Sequence, residues 1–399
     1  MINGRCAILL AVAGLLAPVS SHSESLGKVW DLDLRKVIEG KGLKHSHDLP
    51  VLALRFSPDG SKLATIVDLW AEGAGGQDKS YMLIVRADQP GAEARVFQVT
   101  GGLGVSVSGG ENGAGLPTFG WSTSARTIYA GGEVLDVERG KKCEMPASDY
   151  WGAFFLSDKF AMERERPDFG PSLDWKKRTR FTFLDADCQP EGNWEVPEQW
   201  TVQDVSPDRK LLSVVRSRDA TREELSDGGL YFRTENLIVD PIARKVLQRW
   251  SGAQVPGGYF ADSGKAICSG SDARDAERAP ITCWEVDTGN KIGEAPTANG
   301  GVPMATALHA PRAVVADRRR RKIPFSYEYG LPYGRRVVWD FRAGKEIVSW
   351  RPKFQSWEVP FRDGSAKRMH EPYRFAISPD GQYVAEGGNG VLHLYKIEP

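Results

Sequence analysis

A four-residue phrase, Ser-Pro-Asp-Gly, occurs twice in this chain, at residues 57–60 and 378–381. Each copy lies between two short apolar runs. Proline presets φ for a turn, aspartate can hydrogen-bond its own backbone, and glycine accepts a positive φ. The phrase therefore predicts the tip of a β-hairpin, and its return near both ends of the chain predicts a repeat protein.

Degenerate copies of this tip lie between the two clear ones. Turns flanked by apolar runs give seven predicted tips, which begin at Ser57, Ser122, Ser157, Ser206, Asp262, His309 and Ser378. A second hairpin is predicted between successive tips, for example at residues 281–292 and 337–348. Four strands in each of seven repeats are typical of a β-propeller. We therefore expect an all-β, seven-bladed β-propeller.

Several of these residues resemble those of the Trp-Asp (WD) repeat propellers and their bacterial relatives built on a Pro-Asp-Gly hairpin. Trp30-Asp31 and Trp339-Asp340 match the dipeptide of that superfamily, and His47 stands at its usual spacing before the first tip. The resemblance is that of a divergent, bacterial-type exported member and covers nearly the whole mature chain. It implies a fold rather than an activity.

The ring is expected to close through the N-terminus. Residues 391–397 look like the third strand of the last repeat. An N-terminal strand would supply the fourth strand of that blade and remove an exposed sheet edge. Residues 28–34 and 35–39 both look like strands, so the sequence leaves open which of them pairs.

The first residues of the chain predict export. Residues 6–17 form an apolar run behind Arg5, and Pro18 ends it. A membrane-spanning helix needs about 20 apolar residues, whereas a secretory signal has a shorter run followed by small residues. We expect a signal peptide over residues 1–21, no membrane span, and a single periplasmic or secreted propeller over residues 22–399. A buried N-terminal helix is the alternative.

Four cysteines remain in the expected mature chain, Cys143, Cys188, Cys268 and Cys283. In an exported protein this even number allows two disulfides, in any of three connectivities. Cys268 and Cys283 lie on consecutive predicted strands, and Cys143 and Cys188 lie on consecutive repeats. Four free, buried thiols are the alternative. No pair of these cysteines has the spacing of a zinc or redox site.

The predicted long connections share one face. With the strands of each blade labelled a to d from axis to rim, the a–b and c–d turns are short. The long stretches are d–a or b–c connections, at residues 101–117, 163–179, 217–235, 271–280, 317–335 and 351–372. Loops raised on a rigid scaffold often carry binding residues, so this loop-rich face is the expected binding surface. Neutral insertion into solvent loops is the alternative.

A basic sector lies in the last two of these stretches. Residues 317–336 carry seven basic and two acidic side chains, although the whole chain balances 52 basic against 52 acidic. Arginine beside aromatic rings suits anionic or sugar-like groups, through bidentate hydrogen bonds and stacking. The residues expected to bind are Arg319, Arg320, Tyr327, Tyr329, Tyr333, Arg335, Trp357 and Arg362. A solvated hairpin end is the alternative interpretation.

The sequence contains no G-x-S-x-G, H-E-x-x-H, Walker or EF-hand motif. The segment His45–Asp48 resembles a metal site, but the resemblance already gives His47 a structural role, so we expect no metal or cofactor. We expect a binding or scaffold module for a protein or an anionic or sugar-like ligand. Nucleic acid is not expected, because the chain is exported and net neutral. The alternatives are a propeller hydrolase with axial catalytic residues and a structural subunit of an envelope assembly. The oligomeric state stays open.

Overall fold

A computed structural model describes most of the predicted repeats. The described residues are 25–45, 48–70, 79–90, 94–100, 119–130, 133–144, 152–156, 159–166, 178–185, 188–196, 200–219, 232–251, 258–269, 281–295, 301–317, 335–360 and 366–398. Within them the chain is all β, apart from one short α-helix and a 3-10 turn at Asp262–Gly264. No helix of this part is long and apolar enough to cross a membrane.

The described chain begins with strand β1 (Ser25–Asp33) and helix α1 (Leu34–Gly40). The Asp33 carboxylate accepts a hydrogen bond from the Arg35 amide at 3.0 Å, which caps one of the amides that lack a partner inside the helix. Leu34 and Ile38, four residues apart, are both buried. The prediction that residues 35–39 look like a strand is therefore wrong, because this cap and this apolar spacing stabilise a helix.

The following strands form sheets in groups of four, in sequence order. Sheet 1 comprises β2 (Val51–Phe56), β3 (Lys62–Trp70), β4 (Lys79–Arg86) and β5 (Arg95–Thr100). Sheet 2 comprises β6 (Phe119–Trp121), β7 (Thr127–Ala130), β8 (Glu133–Asp136) and β9 (Lys142–Glu144). Sheet 3 comprises β10 (Gly152–Leu156), β11 (Lys159–Arg166), β12 (Arg178–Leu184) and β13 (Pro190–Val196).

The next three sheets repeat the pattern. Sheet 4 comprises β14 (Trp200–Val205), β15 (Leu212–Asp219), β16 (Phe232–Asp240) and β17 (Lys245–Ser251). Sheet 5 comprises β18 (Gly258–Ala261), β19 (Ala266–Ser269), β20 (Thr282–Glu285) and β21 (Lys291–Glu294). Sheet 6 comprises β22 (Gly301–Thr306), β23 (Arg312–Asp317), β24 (Arg336–Asp340) and β25 (Lys345–Trp350).

A separate two-stranded hairpin, β26 (Phe354–Pro360) and β27 (Ala366–Pro372), precedes the last sheet. Sheet 7 comprises β28 (Arg374–Ile377), β29 (Tyr383–Gly388), β30 (Val391–Glu398) and the N-terminal β1. In this sheet β1 runs antiparallel to β30, with Ser25 opposite Glu398 and Asp33 opposite Val391. The described chain thus contains seven four-stranded sheets.

Hydrophobic clusters lie between successive sheets. One cluster joins Leu54 and Leu83 of sheet 1 to Leu392 of sheet 7, and others join each remaining pair of neighbouring sheets, from 1 with 2 to 6 with 7. Each sheet is therefore covered on both faces, and the row of sheets returns to its start. This is the arrangement of a β-propeller.

The first strand of each sheet lies nearest the axis of the propeller. These strands contact one another, β6 with β10, β10 with β14, β14 with β18, β18 with β22, β22 with β28, and β28 with β2. The predicted tips are the turns after these strands. Ser57 Oγ donates to Asp59 at 2.5 Å, Ser378 Oγ donates to Asp380 at 2.5 Å, and the glycines at 60 and 381 have φ of +73° and +71°. The predicted tip at Ser157 lies outside the described residues.

Two disulfides select one of the three connectivities. Cys143 and Cys188 join sheet 2 to sheet 3, with their Cα atoms 6.1 Å apart. Cys268 and Cys283 face each other on the neighbouring strands β19 and β20, with their Cα atoms 4.0 Å apart. The first disulfide therefore ties two sheets together, whereas the second reinforces a single sheet.

Candidate functional site

The hairpin of β26 and β27 is the best-described part of the loop-rich face. It occupies most of the stretch 351–372, which the sequence predicted as a long connection, and its tip at 361–365 lies outside the described residues. Residues 101–117 and 271–280 lie wholly outside them. The repeat pattern did not predict this hairpin, because no other repeat has a counterpart of it among the described residues.

The side chain of Gln355 anchors the hairpin to sheet 1. The Val51 amide donates to Gln355 Oε1 at 3.0 Å, and Gln355 Nε2 donates to the Val51 carbonyl at 2.8 Å. Gln355 is only 1% exposed. Because Val51 opens β2, the strand nearest the axis, this contact places the hairpin over the junction of sheets 7 and 1.

Further contacts hold the hairpin from both sides. Asn389 Nδ2 donates to the Phe354 carbonyl at 3.3 Å, and the Glu358 amide donates to Asp48 Oδ2, also at 3.3 Å. The Phe354 and His370 rings stack with their centroids 5.1 Å apart. Residues Glu358, Arg368 and His370 are exposed along the outer edge. The hairpin is therefore a fixed platform that presents charged and polar groups to solvent.

Only two of the eight residues predicted to bind are described. Arg335 is 44% exposed, and its Nη1 donates to Glu346 Oε1 at 2.9 Å and to Ser349 Oγ at 3.2 Å. Trp357 is only 5% exposed, so its ring packs within the fold and offers no open stacking surface. The others lie outside the described residues: Arg319, Arg320, Tyr327, Tyr329, Tyr333 and Arg362.

Arg336, counted in the basic sector, is a core residue. It is fully buried, its Nη1 lies 3.3 Å from Glu386 Oε1, and its Nη2 donates to the Tyr373 carbonyl at 2.7 Å. Its guanidinium carbon lies 4.2 Å from the centre of the Phe375 ring. The charge of Arg336 therefore stabilises the junction of sheets 6 and 7 and does not face a ligand.

The opposite face also carries a concave feature. A groove of about 770 Å³ lies between the tips of sheets 7 and 1. Phe56, Tyr383 and Leu394 contribute apolar walls, and Asp59 and Asp380 lie at its rim. The tip face, which was expected to carry only short turns, therefore also has a concave surface.

A charged cluster lies in the central channel. Arg55 on β2, Asp204 on β14 and Tyr259 on β18 come from strands nearest the axis and interact electrostatically. A β-bulge between Val202 and Asp204 interrupts the alternation of β14. Asp204 Oδ2 accepts a hydrogen bond from the Phe260 amide at 2.7 Å.

Arg209, on the tip of sheet 4, completes this channel cluster. Its Nη2 donates to the Trp121 carbonyl of sheet 2 at 2.7 Å. Burial lowers the pKa of Arg209 to about 10, against the opposing attraction of Asp204. Burial also raises the pKa of the Asp204 carboxyl, although Arg55 favours its charged form. Burial is the largest cause of both shifts, because it disfavours the charged form of each group.

The described side chains of the channel include charged and polar groups that can bind an ion. Two guanidinium groups, one carboxylate and one phenol converge there, and burial raises the pKa of Tyr259 to about 12, so this phenol stays protonated at neutral pH. Among the described side chains, no group of three His, Cys, Asp or Glu could hold a metal ion. The channel cluster was not predicted from the sequence, although one signal was present. Arg55 and Asp204 each interrupt an apolar strand two residues before a tip serine.

Comparison with known proteins supports the fold. No family model matches the chain, and no curated protein does. A chain in the crystal structure of the mitotic checkpoint complex shares 12% identity over the full length of both chains, with a TM-score of 0.52. A chain of Kuenenia stuttgartiensis hydrazine synthase shares 13% identity over 89% of this chain and 98% of that chain, with a TM-score of 0.45. At such identities the first likeness shows the fold alone, a β-propeller.

Proposed function

We propose that this protein is an exported β-propeller that serves as a protein-binding scaffold through its loop-rich face. The observation that carries the proposal is the fixed hairpin of β26 and β27. A propeller supplies a rigid base, and a pre-ordered element on that base binds with a smaller loss of conformational entropy than a free loop.

The proposal treats the seven sheets as the blades of one seven-bladed ring whose last blade is completed by β1. The antiparallel register of β1 with β30 supports this ring. So does the hydrophobic cluster between sheets 7 and 1. Membership of the WD-repeat superfamily in its Pro-Asp-Gly form is part of the same proposal, supported by the tips at Ser57 and Ser378.

The exposed edge of the hairpin suits a protein partner. Arg368 lies opposite Glu358 across the two strands, and both are exposed together with His370. Arginine is enriched among residues that dominate binding energy at protein interfaces. Neighbouring charges of opposite sign favour a partner with a complementary pattern.

The finer proposal is that the partner presents an anionic or sugar-like group to the basic sector. Arg319, Arg320, Arg335 and Arg362 would donate hydrogen bonds, and Tyr327, Tyr329 and Tyr333 would stack. Export rests on the apolar N-terminal run and is supported by the two disulfides, which persist in oxidising compartments.

The test is affinity capture with the mature chain, residues 22–399, from the periplasm or medium of its source. The double variant Arg368→Ala/His370→Ala alters the exposed edge and leaves the Gln355 anchor intact. Arg86→Ala on the tip face, where Arg86 pairs with Asp88 at 2.7 Å, is the matched control. We expect the hairpin variant to lose at least about 10-fold in partner affinity, which corresponds to about 1.4 kcal/mol. Equal loss of partner affinity in both variants, or no loss in either, would exclude the loop-rich face as the binding surface.

A further inference from the structure

The arginines of the channel cluster reach across the axis of the propeller. Sheets 2 and 3 lie between sheets 1 and 4, yet Arg55 of sheet 1 and Asp204 of sheet 4 interact electrostatically. Arg209 starts on the tip of sheet 4 and donates to the Trp121 carbonyl of sheet 2. Side chains from sheets that are not neighbours can meet in this way only near the axis.

Asp204 is the carboxylate that faces both arginines, and its Oδ2 already accepts a hydrogen bond from the Phe260 amide. Asp208 also attracts Arg209, but its side chain is 53% exposed and lies 3.7 Å from Lys210 Nζ. Within the cluster, Asp204 therefore attracts the guanidinium groups of both Arg55 and Arg209.

Arg209 has a hydrogen-bond donor to spare. Its Nε is buried and has no hydrogen-bond partner among the described residues. Guanidinium presents five donors in a planar fork that matches the oxygens of carboxylate and phosphate. A buried donor without a partner costs stability, so an oxygen-bearing anion at this position would be stabilising.

We propose that the central channel binds a small oxyanion, inorganic phosphate or the carboxylate of a small acid, between the guanidinium groups of Arg55 and Arg209. The Tyr259 hydroxyl is the third donor. Arg55 and Asp204 each lie two residues before a tip serine, so the site lies towards the tip face. It is separate from the loop-rich face, and its test is independent of the proposed scaffold function.

The test is isothermal titration of the mature chain with inorganic phosphate and, separately, with acetate, at constant ionic strength. We expect at least one of them to bind, and the stronger one identifies the class of anion. Arg209→Gln should weaken that binding about 10-fold or more, because hydrogen bonds to charged groups are among the strongest. Lys210→Gln, which removes the same charge from the neighbouring exposed position, should bind as the wild type does.

Two further variants guard against misfolding. Arg209→Lys keeps the charge but not the planar fork, and Tyr259→Phe removes only the hydroxyl. Both should fold and bind more weakly than the wild type. Absence of binding by either anion to the wild type would overturn the proposal, and would identify the channel cluster as an internal plug. Unchanged binding in Arg209→Gln, or equal losses in Arg209→Gln and Lys210→Gln, would overturn it as well.

Discussion

Val51 and Gln355, 304 residues apart in the chain, exchange two hydrogen bonds in which a side-chain amide takes the place of a neighbouring strand. The Val51 amide and carbonyl lie at the start of β2, opposite Val67 of β3, and both of them bond to Gln355. One glutamine therefore satisfies a buried peptide group and fixes the hairpin of the loop-rich face at the same time.

Replacing this glutamine should detach the hairpin. Gln355→Ala leaves the buried donor and acceptor of Val51 without partners, at about 1–3 kcal/mol for each group. We expect a lower free energy of unfolding in urea and faster hydrogen exchange at the Val51 amide. Gln248→Ala is the control, since Gln248 donates to the Asp287 carbonyl at an exposed site, and it should change stability little. An unchanged urea midpoint in Gln355→Ala would contradict the anchoring role.

The buried pair of Arg336 and Glu386 gives a second prediction. Glu386 is 2% exposed and also accepts a hydrogen bond from Trp350 Nε1 at 2.6 Å. Arg336→Met should destabilise the fold by about 3–5 kcal/mol, because it strands the Glu386 charge. The double variant Arg336→Met/Glu386→Gln should recover part of that loss.

A matched control for this pair is next to it in the chain. Arg335 pairs with Glu346 at an exposed site, so Arg335→Met should cost less than about 1 kcal/mol. Chemical denaturation compares the stability of the wild type with that of Arg336→Met, Arg336→Met/Glu386→Gln and Arg335→Met. If Arg335→Met and Arg336→Met lose equal stability, the assignment of Arg336 to the core is incorrect.

Acid should destabilise the turn at Asp136. The amide of Arg139 donates to Asp136 Oδ1 at 2.9 Å, and this bond lowers the pKa of the carboxyl below its usual 3.8, against the effect of burial. A carboxyl with a lowered folded-state pKa contributes stability above its unfolded value, and the contribution is lost as pH falls through the folded value. Stability should therefore fall as the pH drops below about 4.

The measurement is the urea midpoint at pH values between about 5 and 2. Asp136→Asn should show a shallower pH dependence than the wild type. Arg126→Gln removes the ion pair with Asp136 but keeps the amide hydrogen bonds, so it should retain most of the dependence. Identical pH profiles for Asp136→Asn and the wild type would refute the assignment.

The two disulfides should differ in their contribution to stability. Cys143 and Cys188 are separated by 45 residues and Cys268 and Cys283 by 15. Loop-closure entropy gives about 4 kcal/mol for the longer loop and about 3 kcal/mol for the shorter one. We expect each double alanine variant to lose stability in urea, with the larger loss at Cys143 and Cys188. A mature wild-type chain with four titratable thiols under denaturing conditions would contradict both bonds.

The repeat pattern could be read from the sequence because its determinants are local. The turn at Ser57 depends on residues within five positions, and the same bonds recur at Ser206 and Ser378. The candidate site could not be predicted from local sequence in this way. Arg335 and Arg336 are adjacent in the chain, yet one is exposed and the other is fully buried, because burial depends on which sheet packs against each strand.

The sequence by itself determined the hairpin tips, the four-strand repeats and the all-β class, since turn geometry and strand alternation act over a few residues. Tertiary structure decided that β1 lies beside β30, that Gln355 holds the hairpin, and that Trp357 and Arg336 lie inside. It also brought Arg55, Asp204, Arg209 and Tyr259 into one charged cluster near the axis. Each of these contacts joins residues far apart in the chain, so it exists only once the sheets have packed around a common centre.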